Sequence, residues 1–361
     1  MDWLTGSFLR QLSRREFLSL AASSLAGLIA FPLSSHGMFP GRLLETTGQS
    51  ITHGRVIDST IEGYAKPAFT STLTKSYWQD LVLPITAAVL GDAESGHNRI
   101  WYQLNHESYV HSGSVQPVEI RLNTVVTSFP ENGLLAEVTV PFTDAYWKAG
   151  RLDWHAYRLY YATTYWVYEC VQDDEGKNWY RIQDDKWKIR FFVRAEHLHI
   201  ITAEEISPIS PEIPPAEKHL EIHLPEQLVV AYEGDQAVYM ARTATGARFR
   251  DGDYRTPVGT YMTNRKRPSR HMAAGDLADA NSYDLPGVPW VCYLMENGIS
   301  FHGTYWHNNY GRERSHGCVN LSPRDAQWVY RWTNPHGALE AETIGEKDGT
   351  MVKVIDTPLG A

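Results

Sequence analysis

An internal repeat is the feature that most constrains how this 361-residue chain can fold. The segments "RIWYQLNHESYVHSGSVQPV" (99–118) and "KNWYRIQDDKWKIRFFVRAEHLHII" (177–201) share a Trp-Tyr pair, a following apolar residue, polar turn residues and a step into a short strand. Alternating apolar segments and turns containing Gly and Asp precede each Trp-Tyr pair, a pattern typical of small antiparallel β units. The repeat therefore predicts two small β-barrels, over 60–125 and 134–205.

A proline-rich segment, "SPISPEIPPAEKH", follows the second repeat. Proline at this density blocks regular structure and stiffens the chain, so we interpret 207–217 as a linker. The remaining residues, 218–355, are long enough to form one further domain.

The pattern of this last domain is also mainly β. "QLVVAYEG" and "QAVYMART" predict a hairpin around Gly234 and Asp235. The basic segment Arg265–Pro289 is interrupted by Gly and Pro, and we interpret it as a long loop that acts as a lid. Ser322 followed by Pro323 predicts the start of one short helix.

The amino terminus has the order of an export signal. Arg14 and Arg15 precede an apolar segment from Phe17 to Leu33, and "SRREFL" resembles the twin-arginine signal. The alternative is a basic amphipathic helix packed on a domain. We therefore expect 1–48 to be a signal and linker, the protein to act in the extracytoplasmic cell envelope, and membrane attachment only if the signal is retained.

Charge and cysteine content narrow the functional classes. With 33 basic and 42 acidic residues the net charge is −9, so the chain has no overall basic field and we expect no nucleic-acid partner. The spacing of the three cysteines, Cys170, Cys292 and Cys318, fits neither a disulfide framework nor a paired-thiol zinc motif. At least one free thiol is therefore expected.

The segment "RSHGCVNL" distinguishes Cys318 from the other two cysteines. A thiol becomes a nucleophile when a base lies near it and a turn exposes its sulfur. Gly317 permits such a turn, and backbone N–H groups there can stabilise an oxyanion. His302 and His316 are the candidate bases, and alternation along an extended strand would put His316 on the cysteine's side.

Two other interpretations of the cysteines remain open. Cysteine is often fully buried, which is the interpretation we favour for Cys170 and Cys292. A zinc site could also be built from imidazole and thiolate groups, although the spacings match no standard zinc motif. Its ligands would be His302, His307, His316 and Cys318.

The combination of "FHGT" with "HGCVNL", which begins twelve positions after the Thr, closely resembles the signature of the L,D-transpeptidase catalytic domain. Thr245-Gly246 and "TPVGTY" match the other recurrent stretches of that family. The two repeats resemble the bacterial Src-homology-three-type (SH3-like) domains attached to cell-wall enzymes. The resemblance implies a mainly β protein, with two SH3-like barrels before an L,D-transpeptidase-type β domain that has one or more short helices.

Site roles follow from the resemblance by position. It implies that Cys318 is the nucleophile, that His302 is the base, and that the Gly303 carbonyl orients the imidazole. The same resemblance assigns the oxyanion region to the turn that precedes and includes the cysteine. The other residues implied are His316 and Gly317 in that region, and Ser315 and Asn320 in holding the turn or contacting substrate.

The implied activity is cross-linking of peptidoglycan by acyl transfer, with stem peptides as partners and with no metal or cofactor. Such an activity serves cell-wall biogenesis and cell shape, and the SH3-like domains would contact glycan or peptide. Water as acceptor would instead make the protein an L,D-carboxypeptidase, and a protein amine would make it an anchoring transferase. A non-catalytic wall-binding protein is the alternative of another class.

Overall fold

The computed structural model describes residues 51–105, 108–274, 283–335 and 349–359. These residues are mainly β, as predicted, and the one α-helix among them lies near the carboxyl end. The expected signal segment, 1–48, lies outside the described residues. None of the helices within the described ranges is long and apolar enough to cross a membrane.

The first repeat forms a seven-stranded antiparallel sheet, here called the first sheet, with strand order β3-β2-β6-β5-β4-β1-β7. Its strands are β1 His53–Val56, β2 Thr60–Tyr64, β3 Leu73–Trp78, β4 Val82–Leu90, β5 Ile100–Leu104, β6 Ser108–His111 and β7 Val115–Val118. The Trp-Tyr pair lies on β5, where Trp101 and Tyr102 are buried. Tyr102 belongs to the hydrophobic core of this sheet.

The second repeat forms a sheet of the same size, here called the second sheet, with order β10-β9-β13-β12-β11-β8-β14. Its strands are β8 Leu134–Val138, β9 Phe142–Tyr146, β10 His155–Tyr160, β11 Thr164–Gln172, β12 Asn178–Gln183, β13 Arg190–Arg194 and β14 Leu198–Ile200. Each strand of the second sheet occupies the same place as the strand of the first sheet whose number is lower by seven. The internal repeat in the sequence is therefore a repeat of topology.

Neither sheet closes into a barrel among the described strands, so the barrel part of the prediction is corrected to two open sheets. In the first sheet the edge strands are β3 and β7, and most side chains of β3 face solvent. The final strands are also short, with four residues in β7 and three in β14. The domain boundaries at 60–125, 134–205, 207–217 and 218–355 stay predictions, although β1 starts upstream of 60.

The last part of the chain contains two larger sheets and a two-stranded ribbon. One sheet has the order β17-β16-β15-β25-β20, and the other has the order β21-β22-β23-β24. The strands are β15 Lys218–His223, β16 Leu228–Glu233, β17 Gln236–Arg242, β18 Arg248–Phe249, β19 Gly252–Asp253, β20 Gly259–Met262, β21 Arg265–Ala274, β22 Tyr283–Tyr293, β23 Ser300–Gly303, β24 Val319–Leu321 and β25 Met351–Ile355. The predicted hairpin around Gly234 is β16 paired with β17.

The helix α1, Pro323–Trp332, begins where the sequence predicts. The Ser322 hydroxyl accepts a hydrogen bond from the backbone N–H of Asp325 at 3.1 Å, and Pro323 occupies the first turn. Ala326, Val329 and Trp332 are fully buried in the core shared with β22, β23 and β24. The helix therefore packs against the strands that carry the candidate site.

The segment interpreted as a lid differs from the expectation. Most of Arg265–Pro289 belongs to two long paired strands, β21 and β22, rather than to an irregular loop. Pro268 is tolerated because β21 lies at the sheet edge, where a missing N–H costs little. The described part of this segment is a hairpin arm that borders the site.

Candidate active site

Two adjacent parallel strands carry the candidate catalytic residues. β23 pairs with β24 so that Phe301 lies opposite Val319 and His302 lies opposite Asn320. Phe301 and Val319 are fully buried in the core, and successive side chains of a strand point to opposite faces. His302 therefore points to the other face, toward which the side chain of Cys318, just before β24, is also directed.

The thiol of Cys318 is half-buried and lies beside Ser300. Its sulfur is 3.7 Å from the Ser300 hydroxyl and 3.9 Å from the Gly298 carbonyl oxygen. Burial raises the pKa of the Cys318 thiol, and hydrogen bonds from the backbone and hydroxyl of Ser300 act in the opposite direction. The thiol is therefore protonated at neutral pH and needs a base to become a nucleophile.

His302 is the side chain with the chemistry of that base. Its ring is almost fully buried, and Nδ1 lies 3.1 Å from the Gly303 carbonyl oxygen. Burial lowers the pKa of His302 to about 4, although the hydrogen bond to Gly303 opposes the shift. The ring is neutral at pH 7, and a proton on Nδ1 donated to that carbonyl leaves Nε2 free to accept another.

The sulfur and the His302 ring share a face without a direct hydrogen bond between them among the described residues. Ser300 is instead the nearest polar neighbour of the sulfur. Sequence reasoning missed Ser300, although the spacing Ser-x-His on one strand places both side chains on the same face. Catalytic hydrogen bonds are often long in an empty site and shorten when substrate binds.

The turn that presents the thiol is held by Ser315. Its hydroxyl donates to the Cys318 carbonyl at 2.5 Å and accepts from the Gly317 backbone N–H at 3.2 Å. Gly317 has φ +116°, a conformation that side-chain-bearing residues rarely adopt. The Gly317 N–H is therefore used inside the turn, which leaves the N–H groups of His316 and Cys318 as candidate oxyanion donors.

The stretches Thr245-Gly246 and "TPVG" contact each other and this turn. The Thr256 hydroxyl donates to the Gly317 carbonyl at 2.8 Å and accepts from the Gly246 N–H at 3.0 Å. A Cβ on Gly246 would lie 2.1 Å from the Tyr254 carbonyl oxygen and 2.8 Å from the Gly317 Cα. Glycine is needed at 246 because three backbone segments meet there.

His316 lies apart from the thiol. Its ring is exposed and stacks on Phe249 with centroids 4.6 Å apart, with Tyr254 on another side at 4.7 Å. The expectation that His316 shares the cysteine's side assumed an extended backbone, whereas Gly317 turns the chain between them. The geometry thus favours His302 over His316 as the base.

Asn320 contacts a histidine that the sequence analysis considered only for zinc. Asn320 Nδ2 lies 2.9 Å from His307 Nε2, and both side chains are buried. Burial, with smaller contributions from nearby cations, lowers the pKa of His307 to about 3. This neutral pair links the segment that follows His302 to β24. Within the described ranges no three His, Cys, Asp or Glu side chains are grouped as metal ligands.

The first sheet anchors the segment that joins His302 to Cys318. Arg55, which is 2% exposed, donates to the Tyr305 carbonyl at 2.7 Å. The Asn308 amide donates to the carbonyls of Ser112 at 3.1 Å and Val115 at 3.0 Å. Because these side chains bond to backbone carbonyls across the junction, the segment is fixed to the first sheet.

The second sheet anchors the β21–β22 hairpin arm. Lys186 donates to the Ala273 carbonyl at 2.5 Å, and Thr164 donates to the Pro268 carbonyl at 2.7 Å. Arg270 pairs with Asp185 at 2.5 Å. The arm also carries Tyr283, whose pKa is raised by burial and, when the nearby Cys318 is ionised, by the thiolate charge.

A histidine between two carboxylates lies at the centre of this contact. The buried His271 ring bonds through Nδ1 to Asp184 and through Nε2 to Asp284, and Tyr157 donates to Asp284 at 3.1 Å. Burial lowers the pKa of His271, but its hydrogen bonds and the two negative charges outweigh this and raise the pKa above 6.5. Burial raises the pKa of Asp184, but His271 and the backbone N–H of Trp187 hold it below 3.8.

Comparison with known proteins identifies the carboxyl-terminal region. Residues 217–354 match the YkuD family, the L,D-transpeptidase catalytic domain. The match agrees with the family that the sequence signature predicted for this part of the chain. The preceding SH3-like assignment stays a prediction.

Individual relatives are similar over limited regions. The probable L,D-transpeptidase 3 of Mycobacterium tuberculosis is 33% identical over 84 residues, which are 22% of this chain and 31% of that protein. The chain thus spans about a third of that relative's length. A crystal structure of L,D-transpeptidase 3 from M. tuberculosis is 21% identical, with 39% of this chain and 61% of that chain covered and a TM-score of 0.31. An L,D-transpeptidase from Mycobacterium smegmatis is 17% identical, with 51% and 79% covered and a TM-score of 0.31.

Proposed function

We propose that the protein is an exported peptidoglycan L,D-transpeptidase that forms cross-links through a Cys318 thioester. The observation that carries the proposal is the placement of a half-buried thiol and a neutral, oriented imidazole on one face of β23 and β24. The family match over 217–354 supports the same chemistry. The "SRREFL" stretch supports export to the cell envelope.

The first half-reaction acylates the thiol. His302 Nε2 takes the thiol proton while the sulfur attacks the carbonyl between the third and fourth residues of a donor stem peptide. The backbone N–H groups of His316 and Cys318 stabilise the oxyanion, because Gly317 N–H is engaged by Ser315. The imidazolium then protonates the leaving D-alanine nitrogen, and a thioester remains.

The second half-reaction transfers the acyl group to an amine. His302 removes a proton from the side-chain amine of an acceptor stem, and that nitrogen attacks the thioester. The thiolate leaves and recovers the proton from His302, so the enzyme returns to its starting state. The energy of the broken peptide bond is conserved in the thioester, and the exchange needs no nucleotide.

A single thiol should accept the acyl group. Intact-mass spectrometry of the protein with a carbapenem or a donor tetrapeptide should show one adduct, and Cys318→Ala should lose both the adduct and cross-linking. Cys170→Ser is the matched control because that half-buried thiol lies on the second sheet, and it should retain full labelling. Cross-linking by Cys318→Ala would refute the nucleophile.

The acylation rate should also depend on the protonation of His302. With a pKa of about 4, the imidazole stays unprotonated from about pH 5 upward, so the rate should be flat between about pH 5 and 7. It should fall as pH drops through about 4, where a protonated ring can no longer accept the thiol proton. A rate that falls tenfold between pH 7 and 6 would exclude His302 as the base.

A further inference from the structure

The Ser300 hydroxyl lies beside the nucleophilic sulfur but has no role in acyl transfer as proposed above. Ser300 is fully buried on β23, and its Oγ lies 3.7 Å from the Cys318 Sγ. Within the described ranges that sulfur is the one hydrogen-bond partner of the Ser300 hydroxyl. Buried hydroxyls are nearly always paired, because an unpaired one costs free energy. The contact between oxygen and sulfur is therefore the interaction that satisfies Ser300.

The direction of this hydrogen bond follows from the second polar contact of the sulfur. The Gly298 carbonyl oxygen, 3.9 Å from Sγ, can only accept, so it takes the proton of the neutral thiol. The sulfur is then free to accept, and the Ser300 hydroxyl donates to it. When His302 removes the thiol proton, the contact with Gly298 is lost. The bond from Ser300 remains and becomes stronger, because its acceptor is now charged.

A second buried thiol shows that a neighbouring hydroxyl is not enough. Cys292 Sγ lies 3.8 Å from the Thr333 hydroxyl, and both residues are fully buried. That hydroxyl donates to the Val329 carbonyl at 2.7 Å, so its proton is already used. The Ser300 hydroxyl has no such alternative acceptor among the described residues. Of these two thiols, only Cys318 has a hydroxyl proton available to it.

The groups that face the sulfur from neighbouring elements supply no positive charge to it. His302 on β23 has a pKa of about 4 and is neutral at pH 7. Burial raises the pKa of Tyr283 on the hairpin arm, so the phenol is neutral as well. His316 lies apart from the thiol in an aromatic stack. Burial raises the pKa of Cys318, and among the described residues only the two donors of Ser300 act to lower it.

We propose that the Ser300 hydroxyl donates to the Cys318 sulfur and stabilises the thiolate that His302 creates there, in place of a cation. The use of this bond in catalysis rests on the acyl transfer proposed above. Ser300 keeps its own proton throughout, so no bond to its oxygen is made or broken. Because the residue is fully buried and contacts the reacting sulfur, it acts on the rate of acylation rather than on donor binding.

The test follows the ionisation of the thiol without any peptide. Full-length wild type and Ser300→Ala are alkylated with iodoacetamide between about pH 6 and 10, and mass spectrometry of the digested protein gives the rate at each cysteine. Only the thiolate reacts, so the rate reports ionisation. In Ser300→Ala the midpoint of the Cys318 profile should move to higher pH. Ser300→Thr retains the hydroxyl and should keep the wild-type midpoint.

The expected size of the effect follows from one charge-assisted hydrogen bond. At about pH 7.5 the alkylation of Cys318 in Ser300→Ala should be about fivefold slower than in wild type. The loss of the bond lowers the thiolate fraction by more than this, but a more basic sulfur is also more nucleophilic and offsets part of the loss.

Two controls separate this role from a structural one. Thr333→Val removes a buried hydroxyl beside Cys292 and should leave the Cys318 profile unchanged. Cys170, half-buried on β11, is an internal reference whose alkylation rate should be the same in every variant. An unchanged midpoint in Ser300→Ala, or an equal shift in Thr333→Val, would overturn the role of Ser300.

The result can be told apart from a failure of the proposed function, because alkylation needs no substrate. Wild-type protein that shows the Ser300-dependent midpoint but forms no thioester with a donor tetrapeptide would count against transpeptidation alone. Protein that forms the thioester although its midpoint does not depend on Ser300 would count against this inference alone. Where both hold, Ser300→Ala should slow thioester formation about fivefold at an unchanged half-saturating donor concentration.

Discussion

The two amino-terminal sheets share a strand order but hold the catalytic region with different chemistry. The contact with the first sheet uses a guanidinium and an amide, Arg55 of the sheet and Asn308 of the catalytic region, and both keep the same charge across the physiological pH range. The contact with the second sheet uses Asp184, which follows β12, and His271 of the hairpin arm, and the fold lowers the pKa of Asp184 and raises that of His271. A duplicated unit has thus been fitted to two segments that border one site, through a permanently charged arginine in one contact and a histidine between carboxylates in the other.

The two sheets are also joined to each other, so neither contact is independent of the other. Asp80 accepts from Arg55 on the first sheet and from Arg158 on the second, both at 2.9 Å. Gln116 donates to the Tyr161 carbonyl at 3.2 Å. A comparison of the two contacts therefore needs single substitutions rather than the removal of a whole sheet.

The largest effect is expected at Arg55. Arg55→Met leaves the Tyr305 carbonyl and the Gln116 amide oxygen without their buried donor and leaves Asp80 with Arg158 alone, so the free energy of unfolding should fall by about 3 kcal/mol. Urea denaturation checks this. The matched control is Arg181→Met, which removes a pair with the exposed Glu169 and should cost less than about 1 kcal/mol. Equal losses would mean that the first sheet merely abuts the catalytic region.

Substitution of His271 should cause the second largest loss of stability. Its dependence on pH should differ clearly from that of the Arg55 variant. His271→Gln removes a charged hydrogen-bond donor between two carboxylates, so we expect a loss of about 2 kcal/mol at pH 6. Since the pKa of His271 is raised in the fold, its contribution is complete below 6.5 and is lost as pH rises through the higher folded value. Since the pKa of Asp184 is lowered, its contribution is complete above 3.8 and is lost as pH falls through the lower folded value.

The measurement is the difference in unfolding free energy between wild type and His271→Gln across pH. This difference should be largest between about pH 4 and 6.5 and should become smaller at lower and at higher pH. The same difference for Arg55→Met should stay nearly constant from pH 5 to 8. Parallel profiles for the two variants would break the comparison between the sheets.

The smallest effects are expected at a matched pair of neutral contacts. Asn308→Ala removes donors to the Ser112 and Val115 carbonyls, and Thr164→Val removes the donor to the Pro268 carbonyl. Each should cost about 1 kcal/mol, with no dependence on pH. Thermal unfolding checks both, and a pH-dependent loss in either variant would contradict the assignment of pH sensitivity to His271.

Local patterns predicted the local structure well. Ser322 and Pro323 predicted the helix start, and the alternation around Gly234 predicted the hairpin, because caps and tight turns depend on neighbouring residues. The signature residues Cys318 and His302 were predicted as a pair, and the structure places them on one face. Their catalytic roles remain predictions.

The features that sequence reasoning missed depend on distant residues. β21 appears irregular in sequence because His271 and Arg270 are polar, yet they face Asp184 and Asp185 from another domain. His316 was expected on the thiol's side because the alternation rule does not anticipate a left-handed Gly317. A barrel would likewise need the two edge strands of each sheet, which are distant in sequence, to pair with each other, and among the described strands they do not.

The carbonyl oxygens that the two sheets satisfy have a practical consequence for recombinant fragments. A truncated protein that begins near residue 217 would keep the family region but would uncover the carbonyls of Tyr305, Pro268 and Ala273. Water can solvate these groups but cannot hold the active-site borders in register. Inhibitor screening and kinetics should therefore use protein that retains both upstream sheets.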